Sequence, residues 1–165
     1  MKSEKTKLVA EIGCNHQGNL KTVFKMLNTL KNFCSIKYVK FQKRHSRELL
    51  TEEEYNSPHP NPVNSFGKTY GEHREKLEFD IATHKKIMKY CNKIGIIYCT
   101  SVWDITSAKE IVKTKCSNIK IPSACNNNLN LLEYLFKNYK KNLHISMGMT
   151  TLKEENNILK ILKKF

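Results

Sequence analysis

Two hydrophobic rhythms alternate along this chain. Short runs with every second residue apolar read as strands, and stretches with apolar residues three and four apart read as helices. Residues 8–12 form a short apolar run ending in Glu11-Ile12-Gly13, which predicts a first strand. Cys14-Asn15-His16-Gln17-Gly18 follows as a polar loop. Asn19 can cap a helix over residues 20–33, with Val23, Leu27 and Leu30 at helical spacing. A second strand is predicted over 36–42. Its side chains alternate, so Val39 and Phe41 point one way and Lys40 and Gln42 the other.

Residues 43–80 break the rhythm. Ser57-Pro58-His59-Pro60-Asn61-Pro62 can be neither regular helix nor central strand. The stretch is a long excursion holding Tyr55, Asn56, His59, Tyr70, His73 and Arg74, and its aromatics argue against plain disorder. Order then returns. A helix over 81–93 is stopped near Gly95, and a strand spans 96–100. Asp104 caps a helix to about 115, and a strand covers 118–121. A helix starting near Asn128, a strand over 143–146 and an amphipathic helix over 152–164 complete the pattern. Strand and helix thus alternate five times, the signature of a parallel sheet with crossover helices. An open doubly wound sheet and part of an eight-stranded barrel both fit. The absence of a Gly-x-Gly-x-x-Gly after any strand counts against a dinucleotide fold.

Composition changes this picture little. With 165 residues and 39% hydrophobic content the chain can build one ordinary core. No run reaches membrane-span length, and the polar residues 1–7 lead straight into a strand, so neither a membrane segment nor a signal peptide is expected. The net charge of +14 invites a nucleic-acid reading. It comes from lysines spread over several helices, with arginine only at 44, 47 and 74, and not from a clustered stripe. No nucleic-acid partner is expected. Six cysteines, no two at C-x-x-C spacing, fit a reducing cytoplasm.

In α/β folds chemistry collects at the carboxyl ends of strands. Here the five ends offer Glu11; Lys40 and Gln42; Thr100 and Ser101; Lys120 and Ser123; His144 and Ser146. A lysine inside a core strand needs a partner, either a structural carboxylate or an anionic ligand. Two lysines, several hydroxyls and one carboxylate at a shared end suit a small, multiply anionic ligand. Other candidates carry less. His16 stands in a loop at a strand end, and His144 is expected to be packed inside. His45, His59, His73 and His84 show no metal spacing. Trp103 and Tyr98 are expected in the core. Cys14 and Cys125 lack an identifiable base.

These motifs resemble a known family. Ala10-Glu11-Ile12-Gly13-Cys14-Asn15-His16, Val39-Lys40-Phe41-Gln42, Ile119-Lys120-Ile121-Pro122-Ser123 and His144-Ile145-Ser146-Met147-Gly148-Met149-Thr150 occur in this order. Together they resemble the sialic acid synthase family (N-acetylneuraminate synthase and its nonulosonate relatives). The loop from Tyr55-Asn56-Ser57-Pro58 to Tyr70-Gly71-Glu72-His73-Arg74 looks like that of one bacterial branch. The resemblance implies a TIM barrel that condenses phosphoenolpyruvate with an N-acetylhexosamine such as N-acetylmannosamine, releasing phosphate. The enol carbon attacks the sugar aldehyde, a divalent metal (Mn or Mg) activates that aldehyde, and water adds to the intermediate. Carried over by motif, Lys40, Ser101, Lys120, Ser123 and Ser146 would hold phosphoenolpyruvate, while Glu11 and Gln42 would face the sugar. Glu11 and Lys40 are the expected catalytic pair.

Two departures stand out. Cys125 occupies a place where part of the family has a glutamate. The five strand-helix units also correspond to an incomplete (β/α)8 barrel. The family has three further units, which carry the metal-binding histidines, and an antifreeze-like domain. Residues 1–165 are therefore expected to be the N-terminal part of such a synthase, inactive alone, with no metal ligand of its own. A legionaminate or pseudaminate synthase fragment and a non-catalytic phosphoenolpyruvate-binding or complementing half are the alternatives. A homodimer is left open for the full-length family.

Overall fold

The computed structural model describes residues 6–165, so the polar lead-in read over residues 1–7 lies mostly outside the described residues. Five strands form one parallel sheet: β1 (Val9–Gly13), β2 (Tyr38–Lys43), β3 (Ile97–Val102), β4 (Asn118–Ile121) and β5 (Asn142–Ile145). Their spatial order is their chain order, 1-2-3-4-5. A doubly wound sheet reverses direction at a switch point. This one never does, so the architecture is five consecutive units of a TIM-type barrel.

The long crossover helices are α1 (Leu20–Asn32), α5 (Ile81–Lys93), α6 (Ile105–Lys113), α7 (Leu129–Asn138) and α8 (Leu152–Leu162). Each begins at a side-chain cap. Asn19, Asp80, Asp104, Asn128 and Thr151 each accept a backbone N–H from two or three residues ahead. The helices cover one face of the sheet. Val39, Phe41, Ile119, Ile121, Leu27, Ile87, Ile111, Leu131 and Leu135 are fully buried there. The opposite, inner face stays open, and Val9 and Ile97 are exposed on it.

The excursion between β2 and α5 is more ordered than the sequence reading expects. It holds three short helices, α2 (Ser46–Leu49), α3 (Glu52–Asn56) and α4 (Tyr70–Leu77), and a 3-10 turn at Pro62–Asn64. None is long enough to show a full apolar period, which is why periodicity misses them. Their caps carry the signal instead. Thr51 and Glu54 form a capping box, and Thr69 accepts from the Glu72 N–H. Ser57–Pro60 remains irregular, as the prolines require. Arg44 closes the stem: its Nε pairs with Glu78, and its backbone N–H donates to the second Glu78 oxygen at 3.2 Å. Gly18 (φ +70°) lies so close to this stem that a Cβ would meet the Lys76 carbonyl oxygen at 2.1 Å.

Candidate functional site

Strand register sets the site. Successive partners across the sheet place Glu11, Lys40, Cys99, Asn118 and Asn142 in one transverse row. Gln42, Ser101, Lys120 and His144 form the next row toward the carboxyl ends. Both rows share the inner face, because side chains two apart on a strand point the same way. The alternation read from the sequence in β2 therefore holds: Val39 and Phe41 are buried against the helices, while Lys40 and Gln42 look inward.

Lys40 forms an ion pair with Glu11, its neighbour in register, and its Nζ donates to Ser101 Oγ at 3.2 Å. Ser101 is buried. Lys120 sits one row further on, in β4. It has neither an ion pair nor a side-chain hydrogen bond among the described residues. Lys40 and Lys120 line one cavity of about 710 Å³, together with Tyr38, Cys99, Asn118 and His144. The cavity runs along the inner face toward the amino ends of the strands, where Val9, Ile97 and Asn142 also line it.

The rim residues belong to loops. Gly13 adopts φ +53°, and its α-carbon lies between Glu11 and Gln42; an added Cβ would stand 3.1 Å from Glu11 Oε1 and 3.4 Å from Gln42 Nε2. Gln42 Oε1 is buried without a partner. Ser123 opens the 3-10 turn after β4. Ser146 follows β5 and donates its N–H to the Ile121 carbonyl at 3.0 Å, while its own carbonyl accepts from Asn126 Nδ2. A Cβ on Gly148 would stand 3.1 Å from Ser123 Oγ. Ser123 and Ser146 thus both stand in the loops at the carboxyl ends of β4 and β5, outside the lining of the cavity that the lysines share. Glu11, Lys40 and Ser101 are in contact. Gln42 and Lys120 share the row of Ser101, one above Glu11 and Lys40, and Ser123 and Ser146 stand on the rim.

The weaker candidates sort out by packing. His16 is buried, stacked on Phe79 at 4.3 Å, and its Nδ1 accepts the Gly18 N–H at 3.1 Å. Burial drives its pKa down to about 4, so it is a neutral packing residue. His144, expected to be packed, is instead exposed on the open inner face beside Lys120. Tyr98 is buried in the core, with its hydroxyl 2.6 Å from His84 Nδ1. Trp103 is only half-buried and carries the Arg44 guanidinium at 5.4 Å, so it belongs to the rim and not the core interior. Burial raises the Cys14 thiol and pushes Cys125 up to about 11, which keeps both as thiols and removes them as nucleophiles.

A rim cluster at the excursion stem escapes the sequence reading. Arg44 donates from Nη2 to Cys14 Sγ at 3.0 Å while holding Glu78. Burial raises the Glu78 pKa more than the Arg44 charge lowers it. The available signal is compositional: all three arginines of the chain fall in this segment, and each faces an aromatic ring. A divalent metal finds no suitable donor set here. No group of three or more His, Cys, Asp or Glu side chains converges among the described residues, and the inner-face carboxylate Glu11 is taken by Lys40.

Fold and side chains together define an α/β-barrel protein with Lys40 and Lys120 on one cavity of its inner face. The model of the NeuB family matches residues 26–165, and the chain belongs to that family. N-acetylneuraminate-9-phosphate synthase of Mus musculus is 34% identical over 94% of this chain and 43% of its own length. The Homo sapiens protein of the same name is 32% identical over the same shares. N,N'-diacetyllegionaminic acid synthase of Campylobacter jejuni is 27% identical over 98% of this chain and 48% of its own. The chain spans less than half the length of these curated relatives. Among solved structures, the N-acetylneuraminic acid synthetase of Leptospira borgpetersenii, in complex with citrate, superposes with a TM-score of 0.78 at 20% identity. It matches 98% of this chain and 51% of its own, and shares the fold.

Proposed function

We propose that this chain carries the phosphoenolpyruvate-binding part of a nonulosonate synthase, which condenses phosphoenolpyruvate with an N-acylhexosamine such as N-acetylmannosamine. The observation that carries the reading is that Lys40 and Lys120 line one cavity, at whose amino end the exposed Lys7 also stands, with Lys40 neutralised by Glu11 and Lys120 not. Lys40 is held in place by Glu11 and Ser101. Lys120 has its charge available for a phosphate or carboxylate, and hydroxyls of Ser123 and Ser146 can donate to the same ligand from the rim. Glu11 and Gln42, on either side of Gly13, would face the sugar. Bond formation joins the enol carbon of phosphoenolpyruvate to C1 of the sugar, and water then adds as phosphate leaves. Because three carbons are added at C1, the sugar's C6 becomes C9 of the product. A 9-phosphate product therefore comes from a sugar 6-phosphate. The divalent metal implied for the reaction would need donors other than the described residues, and no step is assigned to it here. Six free thiols suit a cytoplasmic site of action.

Calorimetry with phosphoenolpyruvate tests the reading. Lys120→Ala is expected to weaken binding by roughly 10- to 100-fold, the value of one charge-assisted contact. Because Lys120 has no side-chain partner among the described residues, the variant should melt like the wild type. Lys40→Ala should also bind weakly, but it strands Glu11 and costs stability as well. Absence of heat from the wild type at millimolar ligand would sink the proposal. Turnover is a separate matter. The open inner face gives a bound intermediate no shelter from water. Phosphate release from phosphoenolpyruvate and N-acetylmannosamine by this chain alone is expected to stay at background.

A further inference from the structure

We propose that the amino end of the barrel, opposite the carboxyl mouth, docks on an anionic membrane surface through an arc of lysines with Phe33 and Leu8 set among them. The inference does not depend on which ligand the mouth takes. It starts from topology. In a parallel sheet with crossover helices, every helix ends, and every helix-to-strand turn lies, at the amino ends of the strands. Those ends nearly align: Val9, Tyr38 and Ile97 share one row, and β4 and β5 begin one inner-face row further on. Lysines that look scattered along the sequence are gathered there. Each long helix carries one in its last turn: Lys31, Lys93, Lys113, Lys137 and Lys160. The partial negative charge of a helix C-terminus accounts for those five. It does not account for Lys37, Lys115, Lys140 and Lys141 in the following turns, nor for Lys163 and Lys164 after α8. Lys7, just before β1, adds another. All are exposed, and none takes part in an ion pair among the described residues. No acidic residue lies in the described parts of these turns. Acidic side chains gather instead in the excursion, which leaves β2 and enters α5 at the carboxyl end.

Contacts between neighbouring units put these side chains on one surface. Lys7 and Leu8 line a cavity of about 490 Å³ together with Cys34 and Lys37. A Cβ on Gly95 would stand 3.5 Å from Lys31 Nζ, so the ends of α1 and α5 adjoin. Lys141 Nζ donates to the Lys115 carbonyl, which joins the turns before β4 and β5. An end of one sign draws polyanions, and the apolar side chains decide which kind. Phe33, at the cap of α1, is 84% exposed, and Leu8 is 66% exposed. Leu162 and Phe165 are exposed beside Lys163 and Lys164. A nucleic acid would use the charges and leave Leu8 and Leu162 nothing to bury. Arginine, suited to bidentate phosphate contacts and to stacking on bases, occurs only at 44, 47 and 74, outside these turns. At a bilayer the ammonium groups lie among anionic headgroups while Phe33 and Leu8 enter the acyl boundary. Docked in this way, the carboxyl mouth faces solution and stays open to water-soluble ligands.

The test is co-sedimentation of the 165-residue chain with phosphatidylcholine vesicles, with and without phosphatidylserine. The wild type is expected to bind the anionic vesicles and not the neutral ones. A lysine close to an anionic surface is worth about fivefold in affinity. Replacing Lys37, Lys115 and Lys163 together by Gln should therefore weaken binding about 100-fold. Replacing Lys21, Lys85 and Lys86 together by Gln removes the same charge from exposed positions in the first halves of α1 and α5. That control should change binding by about fivefold or less. Phe33→Ser should weaken it about tenfold. The replaced side chains are exposed, so circular dichroism should stay as in the wild type. No binding to anionic vesicles, equal binding to neutral ones, or equal losses in the two triple variants overturns the inference. So does a Phe33→Ser variant that binds like the wild type. Retention of a single-stranded oligonucleotide through Lys37, Lys115 and Lys163, without vesicle binding, assigns the face to nucleic acid and overturns it as well.

Discussion

Arg44→Ala is expected to lower the unfolding free energy by about 3 kcal/mol, while Arg44→Met combined with Glu78→Leu costs about 1 kcal/mol or less. Both side chains of the clasp are about nine-tenths buried, at 11% and 10% exposure. Burial alone raises the Glu78 carboxyl, and Arg44 offsets only part of that. Removing the arginine leaves a carboxylate that has neither water nor a cation. It also removes the side-chain contact to Cys14, while the backbone N–H of residue 44 still donates to Glu78. Removing both partners takes away the desolvation cost with the attraction, so the net loss is small. Urea denaturation of the double variant, of Arg44→Met alone and of Glu78→Leu alone closes the cycle. If the double variant is as unstable as Arg44→Ala, the clasp stabilises outright, and the argument from desolvation fails.

Stability is expected to fall by about 4 kcal/mol between pH 7 and pH 4.5, before most carboxylates titrate. The cause is two buried histidines. His84 is held down to about 3 by burial, with Lys43 and His16 adding to it, and His16 is held down to about 4 by burial. In the unfolded chain both take up a proton near pH 6.5. The folded state binds fewer protons than the unfolded state throughout the window from about 6.5 to 4, so stability rises with pH there. Above that window both states are neutral and the effect vanishes. Asp80, Glu110 and Glu154, whose carboxyls are lowered, extend the loss at still lower pH, and the raised Glu78 opposes it. His16→Phe keeps the stack on Phe79 and should remove about half of the slope. Urea midpoints that do not change between pH 7 and 4.5 would contradict this account.

Much of the fold is legible without coordinates because its signals are local. The predicted helix over 81–93 and the predicted strand over 118–121 coincide with α5 and β4. The other long elements shift by one or two residues at their ends. A cap such as Asp104 acts on an N–H three residues away, and strand alternation acts over two, so both leave a mark in the order of residues. The excursion is the counter-example. Helices of four to eight residues give no period to read, and their stability comes from contacts such as Tyr55 under Gly71, where an added Cβ would strike the ring at 2.1 Å.

For the site, the sequence determined which residue types stand at each strand end and which face Lys40 and Gln42 share. It could not say which charges are spent. The ion pair of Lys40 with Glu11 spans 29 positions, the clasp of Arg44 with Glu78 spans 34, and the contact of Lys43 with Glu110 spans 67. Those partners follow from strand order and from how helices stack on the sheet, which are set by packing across the whole domain. Only the tertiary structure therefore shows Lys120 as an inner-face cation with no carboxylate partner among the described residues, and His144 as open to the inner face.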